Sequence, residues 1–249
     1  MAESVEESTE EEVSPSGDST RDAVANRLAL ALDVDDLVAA IRLGRQLRDY
    51  FSVAKIGLEL YSAAGPEAIG AISDLGYDIF LDLKLHDIPT TVGKASRVLG
   101  AFGVRYLTFH AHGGVDMLKA GVEGLSEGAY NAGLEQPESL AITVLTSDKD
   151  APAHIMPKRV MLAAEAGCSG IVCAAGDLSE AHHYAPRMIR VVPGIRLPGD
   201  RADDQAQASS PAEAISGGAD LLVIGRSVTA AEDPVAAAEK IHQAAGEAT

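Results

Sequence analysis

The chain has 249 residues, of which 47% are hydrophobic, 4% are aromatic and none is tryptophan, so aliphatic side chains must build the core of one large domain or two small ones. Its formal net charge of −17 argues against nucleic acid or an anionic membrane as a partner. No apolar run approaches the roughly 18 to 20 residues of a membrane span, and the acidic N-terminus is unlike a signal peptide. A cytoplasmic location is the simplest expectation.

The first 24 residues differ from the rest of the chain. They contain eight acidic residues and one arginine and show no apolar periodicity. We expect residues 1–24 to be a disordered acidic tail outside the fold, and residues 25–249 to form a single catalytic domain. The two cysteines, Cys168 and Cys173, have neither the C-x2-C zinc spacing nor a disulfide framework, so we predict reduced core residues.

From residue 27 onward, apolar runs of strand length alternate with amphipathic stretches of helix length. The predicted strands are 28–32, 51–56, 77–83, 104–109, 140–145, 170–173, 189–192 and 221–224. The predicted helices include 37–47, 91–101, 115–125, 157–166, 211–216 and 234–245. Continuous apolar strands separated by helices indicate a parallel sheet, and eight such units predict an α/β fold, a (β/α)8 TIM barrel. A doubly wound open sheet is the alternative, but no G-x-G-x-x-G follows the first strand.

The segment from Asp82 to Pro89, DLKLHDIP, places charge in a strand of the predicted core. Asp82 and Lys84 lie two residues apart, so they point to the same face of a strand. Asp87 lies beyond the strand end, because Pro89 favours a turn. Burying such a pair is costly unless its members compensate each other. An ion pair that caps a barrel end is one interpretation; we favour an active-site lysine between carboxylates.

Polar residues also follow other predicted strands. In a (β/α)8 barrel the carboxyl ends of all strands meet at one face, where catalytic groups lie. The residues predicted at that face are Asp33, Lys55, Asp82, Lys84, His110, Thr146, Pro193, Arg196, Gly225 and Arg226. As an alternative, Asp33 could cap the helix that begins near Asp36.

The segments after strands seven and eight predict a phosphate site. Gly225 lets the backbone approach an anion, and Arg226 can add a charge-assisted pair. Arg196 follows the seventh strand and can reach the same place. The long polar segment 197–210 then predicts a lid, from which Gln205 could reach in.

These motifs stand in the order seen in the orotidine 5′-phosphate decarboxylase family, which the chain resembles from Arg27 to about Gln243. The segments that carry the resemblance are Asp33, Lys55, DLKLHDIP at 82–89, FHA at 109–111, VLTS at 144–147, PGIR at 193–196 and VIGR at 223–226. The resemblance implies conversion of orotidine 5′-monophosphate to UMP and CO2, the last step of UMP synthesis, without cofactor or metal. It also implies a homodimer with two active sites at the interface.

The resemblance also implies individual roles. Lys84 would donate a proton to pyrimidine C6, with Asp82 beside the substrate carboxylate. Lys55 would hold the ribose together with Asp33, and Asp87 would reach into the partner subunit's site. The implied catalytic residues are Lys84, Asp82, Asp87 and Lys55. The implied substrate-binding residues are Asp33, Lys55, Asp82, Ile88, Thr91, Thr146, Pro193, Arg196, Gln205, Gly225 and Arg226.

Two other functions are weighed against this one. A sugar-phosphate decarboxylase or aldolase of the same suprafamily would share the D-x-K-x-x-D pattern but use Mg²⁺, with a Glu ligand where Lys55 stands. A lysine there would repel a divalent cation, which disfavours that alternative. A non-catalytic nucleotide-binding barrel would keep Gly225 and Arg226 but would not need Lys84 between two aspartates.

Overall fold

The computed structural model describes residues 23–148, 150–197 and 209–248. Eight parallel strands close into a barrel in chain order, and β8 pairs back onto β1. The strands are β1 Leu28–Ala31, β2 Val53–Gly57, β3 Asp78–Leu85, β4 Tyr106–His110, β5 Glu138–Ile142, β6 Gly170–Val172, β7 Ile189–Val192 and β8 Leu221–Ile224. The predicted (β/α)8 barrel is confirmed, and the open doubly wound sheet is wrong.

Helices follow the strands and cover the outside of the barrel. They are α1 Leu37–Leu47, α2 Leu58–Ala64, α3 Glu67–Ser73, α4 Pro89–Gly100, α5 Gly114–Asn131, α6 Ile155–Glu165, α7 Leu178–Tyr184, α8 Pro211–Ser216, α9 Arg226–Thr229 and α10 Pro234–Gly246. Short 3-10 turns lie at Ala111–Gly113 and Ala175–Asp177. Within the described ranges, none of these helices has the length and apolar character needed to cross a bilayer.

The core has two layers because each strand is buried on both faces. Alternate strand residues, such as Ala29 and Ala31, fill the barrel interior around Phe80, and the others, such as Leu28 and Leu30, pack under the helices. This double burial explains the continuous apolar runs of the sequence. Small alanines on β1 leave room at the mouth of the barrel.

Val24, at the predicted end of the acidic tail, packs on the barrel domain. Val24 is only 3% exposed and belongs to the main core, and its carbonyl accepts a hydrogen bond from the Arg27 amide. Val24 packs near the C-terminal helix α10, since its Cγ2 atom lies 3.6 Å from the position that a Cβ atom at Gly246 would take. The division of the chain at about residue 24 stays a prediction, and Val24 belongs to the folded side of it. Residues 1–22 lie outside the described part of the chain.

The fifth strand also differs from its prediction. β5 spans Glu138–Ile142 rather than 140–145, so Thr146 is not at a strand end but in a turn beyond it. The apolar Val144 and Leu145 extend the strand pattern of the sequence, yet Leu145 is 39% exposed. Both residues line the cavity at the carboxyl end of the barrel.

Helices α4 and α5 pack with their backbones in contact. A Cβ atom at Gly124 would lie 2.1 Å from the carbonyl oxygen of Gly93, and one at Gly128 would lie 2.0 Å from that of Arg97. Only glycine fits where backbone meets backbone so closely. This contact holds α4, the helix that follows β3, directly against α5.

Candidate active site

A cavity of about 340 Å³ opens at the carboxyl end of the barrel, a size that suits a small ligand. Of the residues predicted for the site, those that line it are Asp33, Lys55, Asp82, Lys84, Thr146, Pro193, Arg196, Gly225 and Arg226. They come from different strands and the loops after them, as the barrel architecture requires. Gln205 lies outside the described residues.

Two lysines and two aspartates form a continuous array along β1, β2 and β3. Lys55 Nζ lies 2.8 Å from Asp33 Oδ1 and 3.7 Å from Asp82 Oδ2, and Lys84 Nζ lies 2.7 Å from Asp82 Oδ2. The array alternates in sign and is formally neutral. Each charge therefore has an opposite neighbour that offsets its desolvation.

Burial differs along the array in a way that suits a site. The side chains of Lys55 and Asp82 are 10% and 12% exposed, whereas those of Lys84 and Asp33 are 33% and 55% exposed. The centre of the array is thus shielded from solvent, whereas its two ends are open to a ligand in the cavity. Asp33 does not cap α1, because Asp36 does so by accepting hydrogen bonds from the amides of Val38 and Ala39.

The backbone of Lys84 has an uncommon conformation. Its φ is +50°, the left-handed region, and it is the one non-glycine residue with a positive φ within the described ranges. The β3–β4 pairing shifts there, from Leu81 opposite Leu107 to Leu85 opposite Phe109. Such a bulge re-aims side chains beside active sites, and the strain of a left-handed residue is of order 1–3 kcal/mol. The bulge and the left-handed backbone direct the Lys84 side chain toward Asp82.

One threonine outside the predicted set contacts two members of the array. The hydroxyl of Thr108, on β4, accepts a hydrogen bond from the Lys84 amide at 2.8 Å and donates one to Asp82 Oδ1 at 3.0 Å. Thr108 is fully buried. The sequence signal was a single hydroxyl within the apolar run of β4, which is also common in ordinary strands.

Gly57 is a second residue that the sequence interpretation missed. A Cβ atom there would lie 2.8 Å from Asp33 Oδ1 and 3.2 Å from Lys55 Nζ. The absence of a side chain therefore makes room for the ion pair. A glycine inside a strand pattern is a signal for such a close approach.

The arginine side of the cavity lies at the ends of β7 and β8. Gly194 turns the chain after β7 with a φ of +82°, and Arg196 then reaches the mouth of the cavity. Arg196 Nη1 donates to the Ile195 carbonyl at 2.9 Å and to the Ser227 hydroxyl at 3.1 Å, while Ser227 donates to the same carbonyl at 2.9 Å. Ser227, missed in the sequence, thus ties the β7 loop to the start of α9.

The ends of the predicted lid lie close together. The amide of Arg196 donates to the carbonyl of Ser209 at 2.9 Å, and Ile195 and Ser209 form an isolated bridge. Residues 198–208, where the lid was predicted, lie outside the described residues. The lid therefore stays a prediction.

Three residues assigned to the site from its motif do not line this cavity. Asp87, Ile88 and Thr91 are exposed around the start of α4, and Ile88 is 66% exposed. The Asp87 carboxylate accepts a hydrogen bond from the amide of Ile88 at 2.6 Å. Their position agrees with the expectation that they serve a neighbouring subunit, which stays a prediction.

His110 lies close to the array but outside the cavity lining. Burial first, and then cations that include Arg159 and Lys84, lower the pKa of His110 below its ordinary value. The imidazole is therefore neutral near pH 7 and adds no charge beside Lys84. Within the described ranges, no group of three or more His, Cys, Asp and Glu side chains could hold a metal ion.

Comparison with known proteins places this site in a family. Residues 26–241 match the model of the orotidine 5′-phosphate decarboxylase / HUMPS family. The chain belongs to that family. The orotidine 5′-phosphate decarboxylase of Moorella thermoacetica is 40% identical over 228 residues, which cover 87% of this chain and 90% of the relative. The one from Parasynechococcus marenigrum is 41% identical over 226 residues, which cover 86% and 91%.

Solved structures of the family have the same fold. The crystal structure of orotidine 5′-phosphate decarboxylase from Lactobacillus acidophilus superposes with a TM-score of 0.75 at 32% identity, covering 88% of this chain and 99% of that one. The orotidine 5′-phosphate decarboxylase from Pyrococcus horikoshii OT3 has a TM-score of 0.70 at 23% identity, which shows the likeness of the fold alone.

Proposed function

We propose that the protein decarboxylates orotidine 5′-monophosphate to UMP and CO2, the last step of UMP synthesis. The observation that carries the proposal is the charged array, with Lys84 Nζ 2.7 Å from a buried Asp82 carboxylate at one wall of the cavity. Arg196 and Arg226 line the same cavity after β7 and β8. A nucleotide with a carboxylate on its base and a phosphate carries two anionic groups, one for Lys84 and one for the two arginines.

Lys84 is the proposed proton donor. Loss of CO2 breaks the bond between C6 and the carboxylate and leaves the electron pair on C6, so a cation there stabilises the developing charge. Lys84 then transfers a proton from Nζ to C6 and is reprotonated by solvent, which its 33% exposure allows. This balances the reaction without an electron acceptor.

Asp82 opposes the substrate carboxylate in the ground state. Two negative charges about 4 Å apart repel each other by roughly 4 kcal/mol at an effective dielectric near 20. That is a fraction of the roughly 8–23 kcal/mol that enzymes supply. Stabilisation of the carbanion by Lys84, and binding energy from the distant phosphate, provide the remainder.

The other lining residues are proposed to hold the rest of the nucleotide. Lys55 and Asp33 meet ribose hydroxyls, since one is a donor and the other an acceptor. Thr146 and Pro193 are proposed to lie beside the pyrimidine. The proposed phosphate contacts are Arg196, Gln205, Gly225 and Arg226. Guanidinium groups suit this role because they bind phosphate through two parallel hydrogen bonds.

A Mg²⁺-dependent reaction on a sugar phosphate is the alternative within the same family, and Lys55 argues against it. A Mg²⁺-dependent sugar-phosphate enzyme would need anionic ligands at this position. Here the Lys55 ammonium lies within 4 Å of both Asp33 and Asp82, where it would repel a divalent cation. A non-catalytic nucleotide-binding barrel is disfavoured by the strained, paired Lys84, which binding of a phosphate alone does not require.

The direct test follows the absorbance of orotidine 5′-phosphate with purified protein in EDTA. We expect full turnover, because the proposed chemistry uses only side chains of the chain. Lys84→Ala should abolish turnover and should still bind UMP. Turnover that is lost in EDTA and restored by Mg²⁺ would support the sugar-phosphate alternative, and binding without turnover would support the non-catalytic one.

We also propose a cytoplasmic location, and a homodimer in which Asp87, Ile88 and Thr91 complete the partner subunit's site. The homodimer is supported by the exposure of these three residues, which follow Lys84 closely in the sequence but do not line the cavity of their own subunit. An apolar side chain as exposed as Ile88 suits burial against a second copy.

Subunit exchange tests this arrangement. Lys84→Ala and Asp87→Ala should each be inactive or severely impaired alone. In a heterodimer of the two, one site collects both defects and the other is intact, so activity should return toward about half of wild type. If mass spectrometry shows exchange and activity stays absent, Asp87 does not act across the interface.

A further inference from the structure

The Thr108 hydroxyl makes two hydrogen bonds, both to members of the charged array. Its hydroxyl oxygen lies 2.8 Å from the Lys84 amide nitrogen and 3.0 Å from Asp82 Oδ1. A backbone amide can only donate, so the hydroxyl must accept there. Its single proton is then committed to the carboxylate. The orientation of this buried hydroxyl is therefore fixed.

The Lys84 contact replaces a bond that the sheet cannot make. Between the pairs Leu81–Leu107 and Leu85–Phe109, β3 has two more residues than β4. The Lys84 amide falls in this irregular stretch and turns to the Thr108 hydroxyl instead of a strand carbonyl. The hydrogen bond from the Lys84 amide to this hydroxyl thus stabilises the left-handed backbone, a conformation that is unfavourable in free energy for lysine.

The Asp82 contact orients the carboxylate. Oδ1 accepts the hydrogen bond from the Thr108 hydroxyl, which leaves Oδ2 for the two ammonium groups, at 2.7 Å from Lys84 Nζ and 3.7 Å from Lys55 Nζ. Rotation of the carboxylate would break all of these contacts together. A hydrogen bond to a charged, buried acceptor is among the stronger ones in proteins.

We propose that Thr108 is a positioning residue for decarboxylation: one hydroxyl fixes the backbone of Lys84 and the carboxylate of Asp82 in a single unit. This inference rests on the proposed function for its kinetic consequences. Its structural part, that the hydroxyl sets the geometry of the Lys84–Asp82 pair, is independent of that function.

The test compares Thr108→Val with a matched control, Thr143→Val. Thr143 is also fully buried, and its hydroxyl donates to the carbonyl of Val172 at 2.9 Å, outside the array. Both variants remove one buried hydroxyl and should lower the melting temperature, Thr108→Val by more because it loses two hydrogen bonds, one of them to a carboxylate. Only Thr108→Val should lower kcat, by about 10- to 160-fold, the factor that corresponds to the 1.5–3 kcal/mol of a hydrogen bond to a charged group, with KM changed less than threefold.

Two further measurements separate positioning from stability. Exchange of the C6 proton of UMP with solvent deuterium, the reverse of the proposed proton transfer, should slow in Thr108→Val in parallel with kcat. Thr108→Ser keeps the hydroxyl and should recover most of both rates. If Thr108→Val matches Thr143→Val in kcat and exchange, or if Thr108→Ser does not recover them, the inference is overturned.

Crystal structures of the two valine variants test the geometry without any assay of turnover. In Thr108→Val the Lys84 Nζ–Asp82 Oδ2 contact or the φ of Lys84 should change, and in Thr143→Val both should be kept. An unchanged Lys84–Asp82 pair and an unchanged φ in Thr108→Val overturn the inference even if kcat falls. Wild-type protein without turnover in EDTA would instead count against the proposed function, and the crystallographic comparison would still decide the role of Thr108.

Discussion

Substitution of Gly57 by alanine should impair catalysis with little effect on the fold. The backbone of Gly57 has φ −89° and ψ −175°, an extended conformation that alanine also adopts. The new Cβ would instead meet Asp33 Oδ1 at 2.8 Å, well inside ordinary contact distance. Since Asp33 is 55% exposed, its carboxylate can swing toward solvent and relieve the clash.

The size of the effect follows from the contact that is lost. The Lys55–Asp33 pair is a charge-assisted hydrogen bond, of a kind that contributes about 1.5–3 kcal/mol, reduced toward about 1 kcal/mol by the exposure of Asp33. A loss of about 1–2 kcal/mol corresponds to roughly 5- to 30-fold in kcat/KM. Stability should change little, because glycine to alanine at a permitted φ stabilises by about 0.4–1 kcal/mol, which offsets the lost pair.

The assay is initial-rate decarboxylation of orotidine 5′-phosphate, with thermal unfolding measured in parallel. Gly70→Ala is the matched control, because a Cβ atom at Gly70 meets nothing within 4 Å, and its kcat/KM should equal that of wild type. On an Asp33→Ala background, Gly57→Ala should cause no further loss. An undiminished loss on that background, or wild-type kcat/KM for Gly57→Ala alone, would refute the reasoning.

Three more predictions follow from other parts of the structure. Arg226→Ala should weaken UMP binding by at least about tenfold and leave uridine binding unchanged in calorimetry; equal losses for both ligands would remove Arg226 from the phosphate site. Gly124→Ala should lower the melting temperature by about 4–10 °C, because overpacking against the Gly93 carbonyl costs about 1–3 kcal/mol; an unchanged melting temperature would contradict the close helix contact. Burial raises the pKa of the Cys168 and Cys173 thiols to about 12, so iodoacetamide at pH 8 should modify them only after urea unfolding, as mass spectrometry would show; rapid labelling of native protein would contradict their burial.

The barrel could be predicted because its cause is visible in the sequence. Parallel strands covered on both faces must be continuously apolar, and this made all eight strands recognisable. Helix α1 was predicted at its observed bounds for a related reason, since one apolar face follows a capping residue, Asp36. The predicted end of β5 was wrong because Val144 and Leu145, although apolar, line the cavity beyond the end of the strand.

The site could be predicted as a set of residues but not as a geometry. Residue types at strand ends indicated that Lys55, Asp82 and Lys84 would meet, and they do. Strand periodicity carries no information about a bulge, so the left-handed backbone of Lys84 had no signal. The contribution of Thr108 comes from another strand, and only the closed sheet brings its hydroxyl to the array.

The left-handed backbone of Lys84 has a consequence for the course of evolution or engineering. Glycine adopts a φ of +50° without strain, but at this position it would leave the buried Asp82 carboxylate with only the more distant Lys55 ammonium. The backbone therefore favours glycine, whereas the buried carboxylate favours a cation. Among the substitutions open to evolution or engineering, none meets both demands, because glycine alone adopts this φ freely and it carries no charge.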